Sequence, residues 1–155
     1  MENILLTAFD VLNFGLVIFF WRFTLKQYKT LPEKIPVHFD FYGKADHFGG
    51  RKSAFLMPGV AAALFVVLTF AVRYANAVNF PVEITEQNKD AQFLIMEIFV
   101  RWILTLVLLI FMNLQDYMFR YTFDENVKPR VPFGGAILAI FGSLITVFIF
   151  IGLFK

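Results

Sequence analysis

Residues 133–154 read FGGAILAIFGSLITVFIFIGLF, a stretch with no charge and with Ser143 and Thr146 as its only hydroxyls. As an α-helix rising 1.5 Å per residue it would be about 33 Å long, enough to cross the roughly 30 Å hydrocarbon layer of a bilayer. A helix on the surface of a soluble core keeps one polar face, and this stretch has none. It reads as a transmembrane helix, with Gly134, Gly135, Gly142 and Gly152 expected to let a neighbouring helix come close. Lipid offers the backbone no hydrogen-bond partner, and the period-two pattern of a barrel strand is absent, so helix is the only form that fits.

Working outward, three more stretches have the length and apolarity to span: roughly Ile4–Phe23, Ala54–Tyr74 and Phe93–Met112. The expected fold is an all-α membrane protein. It is a four-transmembrane-helix antiparallel bundle with a long, partly extended polar loop between helices 1 and 2. It forms one membrane domain over residues 1–155, with a helix-loop-helix region in 1–75 and a second helix pair in 76–155. Composition agrees. Apolar residues make up 59% of the chain and charged residues 17%, against about 25% charged in soluble domains. A net charge of +2 is too small to argue for nucleic acid. The absence of cysteine excludes disulfides, thiolate metal sites and cysteine nucleophiles. The opening Met1-Glu2-Asn3 carries no basic segment and no small-residue cleavage site follows, so the first stretch is expected to be a retained span.

Four spans put both termini on the side of the second loop. That side holds Arg73, Lys89 and Lys155. The opposite side holds Arg22, Lys26, Lys29, Lys34, Lys44, Arg51 and Lys52 in the first loop, and Arg120, Lys128 and Arg130 in the third. The positive-inside rule then places loops one and three in the cytoplasm and the termini outside. Trp21 and Arg22 read as an aromatic-basic anchor at the cytoplasmic interface.

The first loop runs Leu31-Pro32-Glu33-Lys34-Ile35-Pro36-Val37-His38-Phe39-Asp40-Phe41-Tyr42-Gly43-Lys44-Ala45-Asp46-His47-Phe48-Gly49-Gly50-Arg51-Lys52. Its prolines force extended backbone. Val37, Phe39 and Phe41 then alternate with His38, Asp40 and Tyr42, which is strand periodicity. Gly43 and Gly49-Gly50 supply turns. A hairpin fits, but one short strand pair is marginal alone and needs helix ends beneath it.

The order Leu-Pro-x-x-Ile-Pro-x-His-Phe, then Gly-x-x-Asp and a Gly-x-Lys close, resembles the loop of the SdpI family. The matching residues are Leu31, Pro32, Ile35, Pro36, His38, Phe39, Gly43, Asp46, Gly50 and Lys52, with Pro58 early in the next helix. The resemblance covers the first half of the chain. It implies a multi-pass protein of the bacterial inner membrane, bound to lipid, that acts in immunity to a secreted peptide toxin or in signalling to a cytoplasmic regulator. SdpI-type immunity proteins also carry an Arg-Thr-Pro-type motif in a further membrane region, which has no counterpart here.

Within this loop His38, Asp40, Asp46 and His47 are the one cluster with metal-ligand chemistry, suited to zinc or another divalent ion. On a continuous strand His38 and Asp40 would share a face about 7 Å apart. The alternative is structural: His38 orders the loop and Asp46 caps a turn. With Phe39, Gly43 and Lys52 these residues form the candidate partner or ligand surface. A second polar set lies at membrane depth. Thr7, Asp10 and Asn13 recur at three-residue spacing on helix 1, and Glu97, Arg101 and Thr105 at four-residue spacing on helix 3, at matched depth. An unpaired charge there costs roughly 2.5–3.5 kcal/mol. The set is therefore either an interhelical clamp, with Arg101 serving Glu97 and Asp10, or a proton or ligand site. Asp116 and Arg120 have the spacing of a helix pair at the end of helix 3. No Ser/His/Asp triad, phosphate loop or zinc-protease motif appears.

Two functions follow as expectations. One is a non-enzymatic protein that binds a peptide or protein partner at the membrane, with no cofactor. The other is a small-molecule or ion-handling protein, or a metal-dependent membrane enzyme, using the His/Asp loop.

Overall fold

A computed structural model of the chain describes residues 4–40, 42–73 and 80–155. Met1–Asn3, Phe41 and Tyr74, on which some of these readings fall, lie outside the described residues. The elements are α1 (Ile4–Tyr28), β1 (Lys34–Phe39), β2 (Ala45–Gly50), a 3-10 turn (Arg51–Phe55), α2 (Leu56–Arg73), α3 (Lys89–Tyr121) and α4 (Phe133–Leu153). Among the described residues, four helices have the length and apolarity to cross a membrane. The architecture is that of a multi-pass membrane helix bundle.

The helices outrun the hydrophobic stretches on the hairpin side. α1 continues past Phe23 to Tyr28, and α3 runs on through Gln115 to Tyr121. At 33 residues α3 is about 50 Å long, well beyond the hydrocarbon thickness. At its other end Lys89 and Asp90 form its first turn. Asn88 precedes them, donating to the Glu83 carbonyl (2.9 Å) and accepting from the Thr85 amide (2.8 Å).

The most extensive helix contact is between α1 and α3, which are not consecutive. They run parallel, as alternating spans must. Three side-chain ties record the register: Arg101 to Asp10, Thr105 to Asn13 and Gln115 to Thr24, at separations of 91, 92 and 91 residues. An offset that stays within one residue over fourteen residues of α1 holds the pair aligned for about 21 Å. Between the ties lies an apolar core of Val17, Phe20, Ala61, Leu104 and Leu108, from α1, α2 and α3.

α4 packs chiefly on α3, through Val147 and Ile151, which are its buried residues. Its glycines do not provide the expected close approach. A methyl group placed at Gly134, Gly142 or Gly152 would meet nothing within 4 Å. Instead Gln92 of α3 reaches the open end of α4, donating to the Ile151 carbonyl (3.1 Å) and the Phe154 carbonyl (2.8 Å). These are carbonyls a helix C-terminus otherwise leaves without partners.

Candidate functional site

The first loop is a two-stranded antiparallel hairpin, and its strands end sooner than the alternation suggests. β1 stops at Phe39, with register irregularities on both sides of His38. Asp40 therefore leaves the strand and organises the turn. Its Oδ1 accepts from the Tyr42 and Lys44 amides (both 2.8 Å), and its own amide donates to the Lys44 carbonyl (2.8 Å). Gly43 closes the turn at φ +81°, in the left-handed region, where a Cβ costs roughly 1–2 kcal/mol.

The hairpin has a dry side and a wet side. On the dry side Leu31, Ile35 and Ala54 are buried against Met118 and Phe119 of α3. The Phe39 ring lies 4.8 Å from that of Tyr117 and 5.2 Å from that of Tyr121. Both tyrosines also bond to the hairpin backbone. Tyr117 Oη donates to the Gly43 carbonyl (2.5 Å), and Tyr121 Oη accepts from the Ala45 amide (3.3 Å). The extension of α3 on the hairpin side is thus the support a lone strand pair requires. Below it, Gln115 is fully buried and donates to Thr24 Oγ1 (2.9 Å) and to the Ala54 carbonyl (2.8 Å), joining α1, the 3-10 turn and α3.

On the wet side His38 Nδ1 and Asp46 Oδ1 are 2.5 Å apart, with side chains 69% and 49% exposed. His47 faces His38 across the ladder, and Phe48 is 55% exposed. The four-residue metal set is not brought together. Asp40 is committed to the turn, and among the described residues no three His, Cys, Asp or Glu side chains gather as ligands. Asp46 does not cap the turn either, since Asp40 takes that role. Lys52 lies in the 3-10 turn that follows the hairpin. Nearby, Arg51 stands over the Tyr28 ring at 5.2 Å.

Of the polar set at membrane depth, Asp10, Asn13, Glu97, Arg101 and Thr105 come together, while Thr7 is exposed. Arg101 donates from Nε to Asp10 Oδ1 (2.8 Å) and from Nη2 to Asp10 Oδ2 (3.2 Å), a bidentate pair. Its Nη1 donates to the Glu97 carbonyl (3.1 Å) and stands 3.9 Å from Glu97 Oε2. Asn13, buried, donates to the Arg101 carbonyl (3.1 Å) and accepts from Thr105 Oγ1 (2.8 Å). At the opposite end of α3, Asp116 accepts from Nε of both Arg120 (2.8 Å) and Arg130 (2.9 Å). Its hydrogen bond and charge push the Arg130 guanidinium further above its ordinary value.

Sequence reasoning passed over Gln92, Tyr117 and Tyr121, and took Gln115 only as one of the polar residues that end helix 3 on the side of the first loop. The signal for Gln115 was present. The offset that matches Asp10 with Arg101 also matches Thr24 with Gln115.

A family described as "Domain of unknown function (DUF1648)" matches residues 15–62, which take in the second half of α1, the hairpin and the start of α2. An Archaeoglobus fulgidus protein described as "Uncharacterized protein" is 33% identical over 78 residues. The match covers 45% of this chain and 43% of that relative, so the chain spans less than half of its length. No solved structure matches.

Proposed function

We propose that this chain is a non-enzymatic inner-membrane protein of SdpI-like type whose hairpin, on the cytoplasmic face, receives a peptide or protein partner in toxin immunity or signalling. One observation carries the reading. The hairpin is clamped to α3 by its dry side, while the His38–Asp46 pair and Phe48 are turned outward. A strand pair held this firmly has the preorganisation that binding rewards. β2 pairs only with β1 among the described residues, so its outer edge has room for an extended segment to add as a strand. Phe48 offers an apolar anchor beside that edge. The same loop accounts for much of the family match, which is where a shared role would reside.

The test is a photo-crosslinking amino acid at position 48 in the full chain, irradiated in native membranes. One discrete protein or peptide adduct, lost in the His38→Ala, Asp46→Ala double variant, is expected. Adducts to lipid alone contradict the proposal. Stoichiometric zinc in the purified protein, lost in His38→Ala, would replace it with the metal-dependent reading.

A further inference from the structure

Beside the hairpin turn, and separate from its outward face, is a groove of about 430 Å³ between the turn and the segment joining α3 to α4. Its floor is apolar, made by Tyr117, Pro132 and Phe133, and its rim carries Lys44, Glu125 and Lys128. Depth is the first clue to an occupant. Phe133 is the first residue of α4, a membrane span, and its ring lies 6.3 Å from that of Tyr117. The groove is therefore at the level of the phospholipid headgroups.

Charge is the second clue. Two neighbouring cations, Arg120 in the last turn of α3 and Arg130 of the third loop, are both occupied by Asp116. The ammonium groups of Lys44 and Lys128 take no ion-pair partner among the described residues, and neither does the Glu125 carboxylate. Two ammonium groups and one carboxylate leave the rim at +1, the complement of one phosphodiester. The start of α4 has the same preference, with no side-chain cap at Pro132 and no acidic residue in its first turn. Its helix dipole there favours an anion.

We infer that this groove holds the phosphate of one membrane phospholipid between Lys44 of the hairpin turn and Lys128 of the third loop, with the glycerol end of the lipid against Phe133. A lipid seated there joins two loops from opposite halves of the chain. A juxtamembrane lysine contributes enough attraction to an anionic membrane that losing both should weaken the site about thirtyfold.

Native mass spectrometry of the full chain in detergent, titrated with phosphatidylglycerol, reads this directly. One tightly retained lipid per chain is expected in the wild type. It should be weakened about thirtyfold in Lys44→Gln, Lys128→Gln and retained in Lys44→Arg, Lys128→Arg. The double variant Lys29→Gln, Lys34→Gln removes the same charge elsewhere on this face and should leave the retained lipid in place. An equal loss in both glutamine pairs means diffuse attraction and overturns the inference, as does no loss in either. Displacement of the lipid by millimolar glycerol 3-phosphate also overturns it, since the ligand would then be a free phosphate. Circular dichroism melts of each variant report whether folding is intact. If Lys44→Gln, Lys128→Gln is unfolded, the single variant Lys128→Gln decides, with unchanged retention counting against the site.

Discussion

Arg101→Ala is expected to be the most damaging single change in the membrane-embedded part of the chain. It removes both bonds to the Asp10 carboxylate and the bond to the Glu97 carbonyl. Asp10 and Glu97 are then left near each other without their shared cation. Their side chains are 36% and 30% exposed and that of Arg101 is 13% exposed, so the two carboxylates keep only partial access to solvent. Breaking a buried pair from one side costs about 3–5 kcal/mol in soluble proteins. Side-chain hydrogen bonds measured within membranes couple by about 0.6 kcal/mol on average and at most about 1.7. A bidentate charged pair belongs at the top of that range. A loss of about 3 kcal/mol for Arg101→Ala is expected, with a coupling of about 1.5 kcal/mol between Asp10 and Arg101. Equilibrium unfolding in sodium dodecyl sulfate would measure Asp10→Asn, Arg101→Gln and the double variant. The double variant should be more stable than the sum of the singles implies, because no bare charge then stands opposite residue 10. Additivity to within about 0.4 kcal/mol would refute the clamp and the parallel alignment of α1 and α3 that it helps to set.

Gln115→Glu should destabilise more than Gln115→Leu in detergent thermal melts. The carboxylate presents an acceptor to the Ala54 carbonyl, whereas leucine costs only about 1–2 kcal/mol of lost hydrogen bonding and also removes the buried, unpartnered Oε1. Gly43→Ala should cost about 1–2 kcal/mol and speed amide exchange through the turn, since φ there is +81° and the new Cβ would lie 3.2 Å from Tyr117 Oη. Unchanged exchange at residues 40–45 would mean that the turn is not held by that contact.

The spans were legible because a run such as 133–154 has no soluble alternative. The clamp was legible because helical spacing and matched depth leave Asp10 and Arg101 little else to pair with. The hairpin was harder. Its alternation implied a strand through Asp40 and beyond, but Asp40 satisfies local amides better than it continues a ladder, and the strand breaks there. Support for the hairpin was hidden for a different reason. Apolar patterning fades after Met112, and the spacing of Asp116 and Arg120 carries the helix further, but nothing in that spacing says that its last turns pack Met118 and Phe119 against Leu31 and Ile35. That is tertiary information. The glycines of α4 misled in the opposite direction, since small residues permit close packing without requiring it.

Four spans put the hairpin and the C-terminal end of α4 on opposite sides of the membrane, and the proposed function needs the hairpin on the cytoplasmic side. The protein has no cysteine, so Lys44→Cys and Lys155→Cys each introduce a single thiol. Treating intact cells with a membrane-impermeant maleimide should label position 155 and spare position 44 until the membrane is opened. Labelling of position 44 from outside would contradict the orientation, and labelling of both positions from the same side would contradict the four-span fold itself.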